Sequence, residues 1–160
     1  MNDPKLKILN ESKDLFEQFG YQKTTLTDIA RSIGKVKTAI YYYFSGKEEI
    51  CADLVKLEAE GFLNKLSAAV SEQDAPIDQL ESYVRTRVDL MQVISTRYSF
   101  LKREFFELMP IVEENRKAAD AQEVALITSV LEKLDATDGY TVQSPAFSAT
   151  MLVNTLKGLE

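Results

Sequence analysis

Residues 20–50 read GYQKTTLTDIARSIGKVKTAIYYYFSGKEEI, and the spacing of apolar and capping residues in this stretch decides the fold. Thr25, with Asp28 three positions on, is a variant of the capping box that opens a helix. Leu26, Ile29, Ala30 and Ile33 then recur at helical spacing and give one apolar face. Gly34 closes that helix, and Lys35 and Val36 make the turn. A second helix of about two turns is expected from Lys37 to Phe44. So short a helix is not stable alone and must be held by its neighbours. Ile40 and Phe44, four apart, form its inward pair, and Ala39 permits close approach. Two helices joined by a tight glycine turn make a helix-turn-helix, whose second helix can enter a DNA major groove.

The same helical phase leaves Lys37, Thr38, Tyr42 and Tyr43 facing outward or sideways, with Tyr41 toward the packed side. Water has little use for successive tyrosines, whereas a ring with a hydroxyl tip suits a phosphate or base edge. Ser45 and Glu48 read as a second capping box that starts the next helix. Lys47 then lies at the positive N-terminal end of that helix, where a phosphate would be well received.

These residues also carry a resemblance. The ordered pattern Gly-Tyr-x-x-Thr-Thr-x-x-x-Ile-Ala, then Ile-Gly, then Ala-Ile-Tyr-Tyr-Tyr-Phe, then Lys-Glu-Glu-Ile closely resembles the DNA-binding domain of TetR/AcrR-family transcriptional regulators. The match covers about the first third of the chain. It implies an all-α protein, with a three-helix DNA-binding domain at residues 1–45 and a helical ligand-binding and dimerisation domain at 46–160. By that resemblance Thr25 and Thr27 lie near the phosphate backbone, and Lys37, Thr38 and Ala39 approach base edges. Tyr42, Tyr43 and Lys47 fall where family members contact phosphate, and Tyr41 packs inside the domain. One departure stands out: members often place Val-Ser where this chain has Lys35-Val36. The lost serine leaves the second helix differently capped, and Lys35 adds a charge that can reach the backbone. Members usually run one helix beyond the position of Glu160, and their last two long helices form the dimer interface. A C-terminal piece is therefore expected to be either missing from this sequence or shortened.

Composition sets limits. The chain has 160 residues, 45% apolar and 28% charged, ordinary for a globular protein with a sizeable core. No apolar run approaches membrane-spanning length, and the N-terminus lacks the apolar segment of a signal peptide. The single cysteine, Cys51, excludes an intramolecular disulfide and fits a reducing cytoplasm. A buried apolar role is the favoured reading for it over a redox one. The sequence pI of about 4.9 argues against nucleic acid when taken whole. Charge is uneven, however: residues 20–47 carry five basic side chains against one acidic, whereas residues 51–160 carry 11 Lys/Arg against 18 Asp/Glu. A basic patch on an acidic body can still hold DNA in one orientation.

Elsewhere the pattern is helical throughout. Asp3 and Pro4 start a first helix, stopped by Gly20, with Leu6, Leu9, Leu15, Phe16 and Phe19 as its buried side. A long helix follows from about Gly46 to Val70, with Ile50, Leu54, Leu57, Gly61 and Phe62 inward. SEQDAP at 71–76 is a loop. Ile77, Leu80, Val84, Val88, Met91 and Ile94 mark the next amphipathic helix. Pro110 is expected to bend or restart the chain before a helix at 111–134, and Ser144 with Pro145 caps a last one.

The sequence contains no histidine, which removes Ser-His-Asp, Cys-His and His-containing zinc sites. Glu104, Glu107, Glu113, Glu114 and Glu123 lie among Lys102, Arg103, Arg116 and Lys117, and a solvated helix face is the favoured reading. Neither an enzyme, nor a cofactor, nor a metal is called for. The aromatic cluster at 98–109 reads first as core between helices. It could also line an apolar effector pocket, a reading that the resemblance raises, with Phe62, Met91, Tyr98, Phe100, Phe105 and Met109 as candidates. The expectation is a homodimeric, effector-responsive repressor on a near-palindromic operator. A helical protein-interaction module that has lost DNA binding, or a small-lipid carrier, is the alternative.

Overall fold

Residues 3–97 and 103–158 are described by a computed structural model, and among them the backbone forms seven helices and no strand. They are α1 (Pro4–Phe19), α2 (Leu26–Ser32), α3 (Lys37–Ile40), α4 (Lys47–Ser71), α5 (Pro76–Arg97), α6 (Phe105–Asp135) and α7 (Pro145–Lys157). Chain contacts gather them into two compact units. One comprises residues 1–58 and 96–116, the other 59–95 and 117–160.

In the first unit α1 begins where Asp3 accepts the backbone N–H of Lys5 and Pro4 supplies a preset φ. It ends at Gly20, whose φ of +90° is open to glycine at little cost. The buried face is Ile8, Leu9, Ser12 and Phe16. Leu6 and Phe19, expected inside, are exposed: Leu6 lies off the phase set by 8, 12 and 16, and Phe19 ends the helix. Packing of α1 on α2 and of α2 on α3 accompanies the burial of Phe16, Ile29, Ala30, Ile40 and Phe44. Each large apolar side chain there contributes about 1.5–3 kcal/mol relative to exposure, which is what holds helices too short to survive alone. Tyr21 joins this core edge-on, its ring 5.2 Å from that of Phe16.

The second unit is built around Phe62, Leu66, Val70, Tyr83, Ile127, Val130, Leu131, Leu134, Ala149 and Val153. The buried line of α5 is Gln79, Tyr83 and Arg87, not the apolar stripe read from the sequence. Leu80, Val84, Met91 and Ile94 flank it half-buried, while Ile77 and Val88 are exposed. Polar groups hold the inward centre because they have partners. Arg87 Nε donates to Glu123 Oε1 at 2.8 Å and the Tyr83 hydroxyl donates to the same oxygen at 2.7 Å. Glu123 is thus a buried residue, contrary to its reading as part of a solvated face.

Pro110 does not interrupt α6, which runs through it. The ring removes a single i→i−4 hydrogen bond in the second turn, and the rest of a 31-residue helix continues on both sides.

Candidate nucleic-acid interface

The helix-turn-helix forms from local chemistry. Thr25 caps α2: its hydroxyl oxygen accepts the Asp28 N–H at 3.2 Å, while the Asp28 carboxylate accepts the Thr25 N–H at 3.0 Å. The Thr25 hydroxyl also donates to that carboxylate at 2.6 Å, and this bond holds the Asp28 carboxyl below its ordinary pKa. Gly34, with φ +69°, turns the chain between α2 and α3, and the Lys35 N–H closes the turn on the Ala30 carbonyl at 2.8 Å.

The second helix is shorter than its spacing suggests. Helical geometry covers Lys37–Ile40, and residues 41–43 continue as a turn in which Tyr43 and Phe44 both donate to the Ile40 carbonyl. Three aromatic residues in succession have modest helix propensity, and Val36 offers α3 no side-chain cap. Ile40 and Phe44 are buried as expected. Because the helix stops at Ile40, helical phase no longer governs Tyr41. That ring is 50% exposed, not packed inside, and carries the Lys37 ammonium 5.8 Å from its centroid.

What remains outward is a continuous polar and aromatic surface. Thr25, Thr27, Lys35, Lys37 and Thr38 are exposed, Ala39 is half-buried, and Tyr42 is the most exposed of the three tyrosines at 87%. Tyr43 is 42% exposed. The next helix opens just after Ser45, whose side-chain partner is Glu49, not Glu48. Glu49 accepts both the N–H and the hydroxyl of Ser45, and these bonds depress its pKa.

Lys47 takes a different place from its neighbours. Its ammonium donates to the carbonyls of Tyr21 at 2.6 Å, Thr24 at 3.0 Å and Gln22 at 3.3 Å, and it lies 4.2 Å from the Tyr21 ring centroid. Those contacts occupy all three of its N–H groups. On the other side of the same turn, Glu104 accepts the N–H of Tyr21 at 2.7 Å and of Gln22 at 2.9 Å. No local pattern in the sequence points to Glu104, which acts on residues more than eighty positions away.

Of the effector candidates, Phe62 is buried in the core of the second unit, with Met91 half-buried against it. Arg87 places its guanidinium 5.7 Å from the Phe62 ring. Met109 belongs to the first unit and is half-buried. Tyr98, Phe100 and the Phe105 side chain lie outside the described residues. Among the described residues there is no cluster of acidic or sulfur side chains that could hold a metal, and no helix long and apolar enough to cross a membrane.

A capped helix, a glycine turn and a short helix with its outer face exposed make up a helix-turn-helix. Residues 8–54 match the family of bacterial regulatory proteins known as the tetR family. The likeness to that family rests on residues 8–54, which hold the helix-turn-helix. Over 86 residues it is 33% identical to the HTH-type transcriptional regulator RutR of Escherichia coli strain K12, a match covering 54% of this chain and 40% of the relative. Over 78 residues it is 32% identical to IcaR of Staphylococcus aureus strain Newman, the HTH-type negative transcriptional regulator of the biofilm operon icaADBC, covering 49% and 42%. The chain therefore spans about two fifths of the length of these relatives. A TetR/AcrR-family regulator from Thermobifida fusca shares the fold, with a TM-score of 0.78 at 23% identity over 97% of this chain and 82% of that one.

Proposed function

We propose that this protein is an effector-responsive transcriptional repressor that binds a near-palindromic operator as a homodimer. The observation that carries the reading is the outward face of Lys37, Thr38 and Tyr42 on a buried Ile40–Phe44 anchor, inside the stretch matched to the family. Lys37, Thr38 and Ala39 read base edges, while Thr25, Thr27, Lys35, Tyr42 and Tyr43 contact the phosphate backbone. Two such heads, one per subunit, would enter successive major grooves about one helical turn apart. The negative regulation named for IcaR supports repression as its mode.

DNA reading is assigned to residues 1–45, and effector binding and dimerisation to 46–160. An apolar effector is proposed for this part of the chain, with Phe62 and Met91 among the candidates, on the strength of the resemblance. Phe147 and Met151, one turn apart on α7 and 65% and 51% exposed, support a second copy of the chain as the partner of that helix. Effector control requires two conformations with different effector affinity.

The experiment is fluorescence anisotropy on DNA from just upstream of the protein's own gene, with scrambled competitor, across a salt series. Tight binding that resists competitor and weakens steeply with salt is expected, because neutralised phosphates release counterions. Salt-insensitive binding, or none by a demonstrably dimeric protein, would defeat the reading.

A further inference from the structure

The turn at residues 20–24, which feeds directly into α2, is gripped through both kinds of backbone polar group. Glu104, one residue ahead of α6, takes two of its N–H groups at 2.7 and 2.9 Å. Lys47, the first residue of α4, takes three of its carbonyls. The side chain of Gln22 adds a bond to Glu107 in the first turn of α6. Gly20 keeps the approach open: a Cβ there would stand 3.3 Å from Glu104 Oε1, and the φ of +90° is itself unfavourable for any other residue. A carboxylate on the donors and an ammonium on the acceptors of one turn make charge-assisted bonds, roughly twice as strong as neutral ones.

We propose that Glu104 is a positioning residue for DNA recognition. With Lys47 it clamps the 20–24 turn, fixes the attitude at which α2 and α3 meet DNA, and makes operator affinity depend on the segment that opens α6. The proposal rests on the reading of the α3 face as the DNA contact. Glu104 itself touches no base or phosphate in this scheme; it acts through the backbone of Tyr21 and Gln22. Any event that draws the start of α6 away must release two N–H groups or carry the turn with it. The 31 residues of α6 belong in part to each compact unit, so that segment is a covalent route by which a change at residues 117–135 can reach the head.

The test is Glu104→Gln in the full chain, with Glu48→Gln as a control that removes an equal charge from an exposed site on the same head. Simple electrostatics makes opposite predictions from the clamp. Removing a negative charge near DNA should strengthen binding, whereas opening the clamp should weaken it. Glutamine presents an N–H₂ group to one of the two turn donors and so loses that bond. Amide exchange at Tyr21 and Gln22 is expected to speed up by about tenfold. Operator affinity is expected to fall by about tenfold, while its salt slope stays unchanged because no phosphate contact is lost. Glu48→Gln should leave exchange at the turn unaltered and bind DNA at least as well as the original. Unchanged exchange in Glu104→Gln, or faster exchange with undiminished operator affinity, would overturn the proposal. Absence of operator binding by the unaltered chain would defeat the DNA-binding reading beneath it, and with it the positioning role. The exchange data would then still decide whether the clamp exists.

Discussion

Arg87 Nε stands 2.8 Å from Glu123 Oε1 with the two side chains only 2% and 3% exposed, a buried ion pair linking α5 to α6. The Tyr83 hydroxyl shares the same carboxylate oxygen, and burial together with that acceptor pushes the phenol pKa up. A pair taken so far out of water gains little over apolar packing, but breaking it leaves a charge stranded. Glu123→Ala should therefore cost about 3–5 kcal/mol in urea denaturation, and Tyr83→Phe about 1–2 kcal/mol. Replacing both charges, as Arg87→Met with Glu123→Leu, should cost less than Glu123→Ala alone. A double variant no more stable than the single would show that the pair is not coupled.

Ile40 and Tyr42, two positions apart, should separate folding from recognition. Ile40→Ala empties a fully buried site and should cost about 2–5 kcal/mol of stability. Tyr42→Ala, at an 87% exposed position, should shift stability by about 0.5 kcal/mol or less yet weaken binding to all DNA sequences alike. Thermal melts beside anisotropy titrations measure both. Equal affinity in Tyr42→Ala and the parent would remove this ring from the interface.

The α2 cap carries a pH signature. Bonds from Thr25 lower the Asp28 pKa below its ordinary 3.8, so the charged form is favoured in the folded state. The stabilisation is present in full above 3.8 and is lost as pH falls through the lower folded value. Carboxyl NMR should place the Asp28 midpoint below 3.8, and Thr25→Val should move it back up. A midpoint that ignores Thr25→Val would assign the shift to another group.

Cys51 should be chemically quiet. Burial pushes its thiol up to about 12 from an ordinary 9.0, against a smaller opposing pull from Lys47. Thiolate at neutral pH is then scarcer by about a thousandfold than in an exposed cysteine. A disulfide reagent should label native protein far more slowly than denatured protein. Fast labelling of the native chain would contradict the burial.

Much of the head was legible because its signals are short-range. The Thr25–Asp28 box, the Gly20 and Gly34 stops and the Ile40–Phe44 anchor all lie within four residues of their partners, where spacing and chemistry coincide. The aromatic run was less legible. Reading Tyr41–Phe44 as a continued helix put Tyr41 inside, but the helix ends first and the turn sets that ring half outside. Glu49 in place of Glu48 at the next cap is a similar one-residue slip, since both are acidic and either can reach Ser45.

By itself the sequence determined an all-helical protein with a helix-turn-helix near its start, because helix caps, glycine turns and 3.6-residue periodicity act within one or two turns of chain. Only the tertiary structure decided what Lys47, Glu104, Arg87 and Glu123 do. From the sequence Glu104 and Glu123 read as part of a solvated helix face, Lys47 reads as a phosphate contact, and nothing singles out Arg87. Folding brings Glu104 onto a turn 83 residues earlier and Glu123 onto Arg87 across 36. Pairing of that range leaves no periodic trace, since it depends on which side chains the packed helices bring within hydrogen-bonding distance.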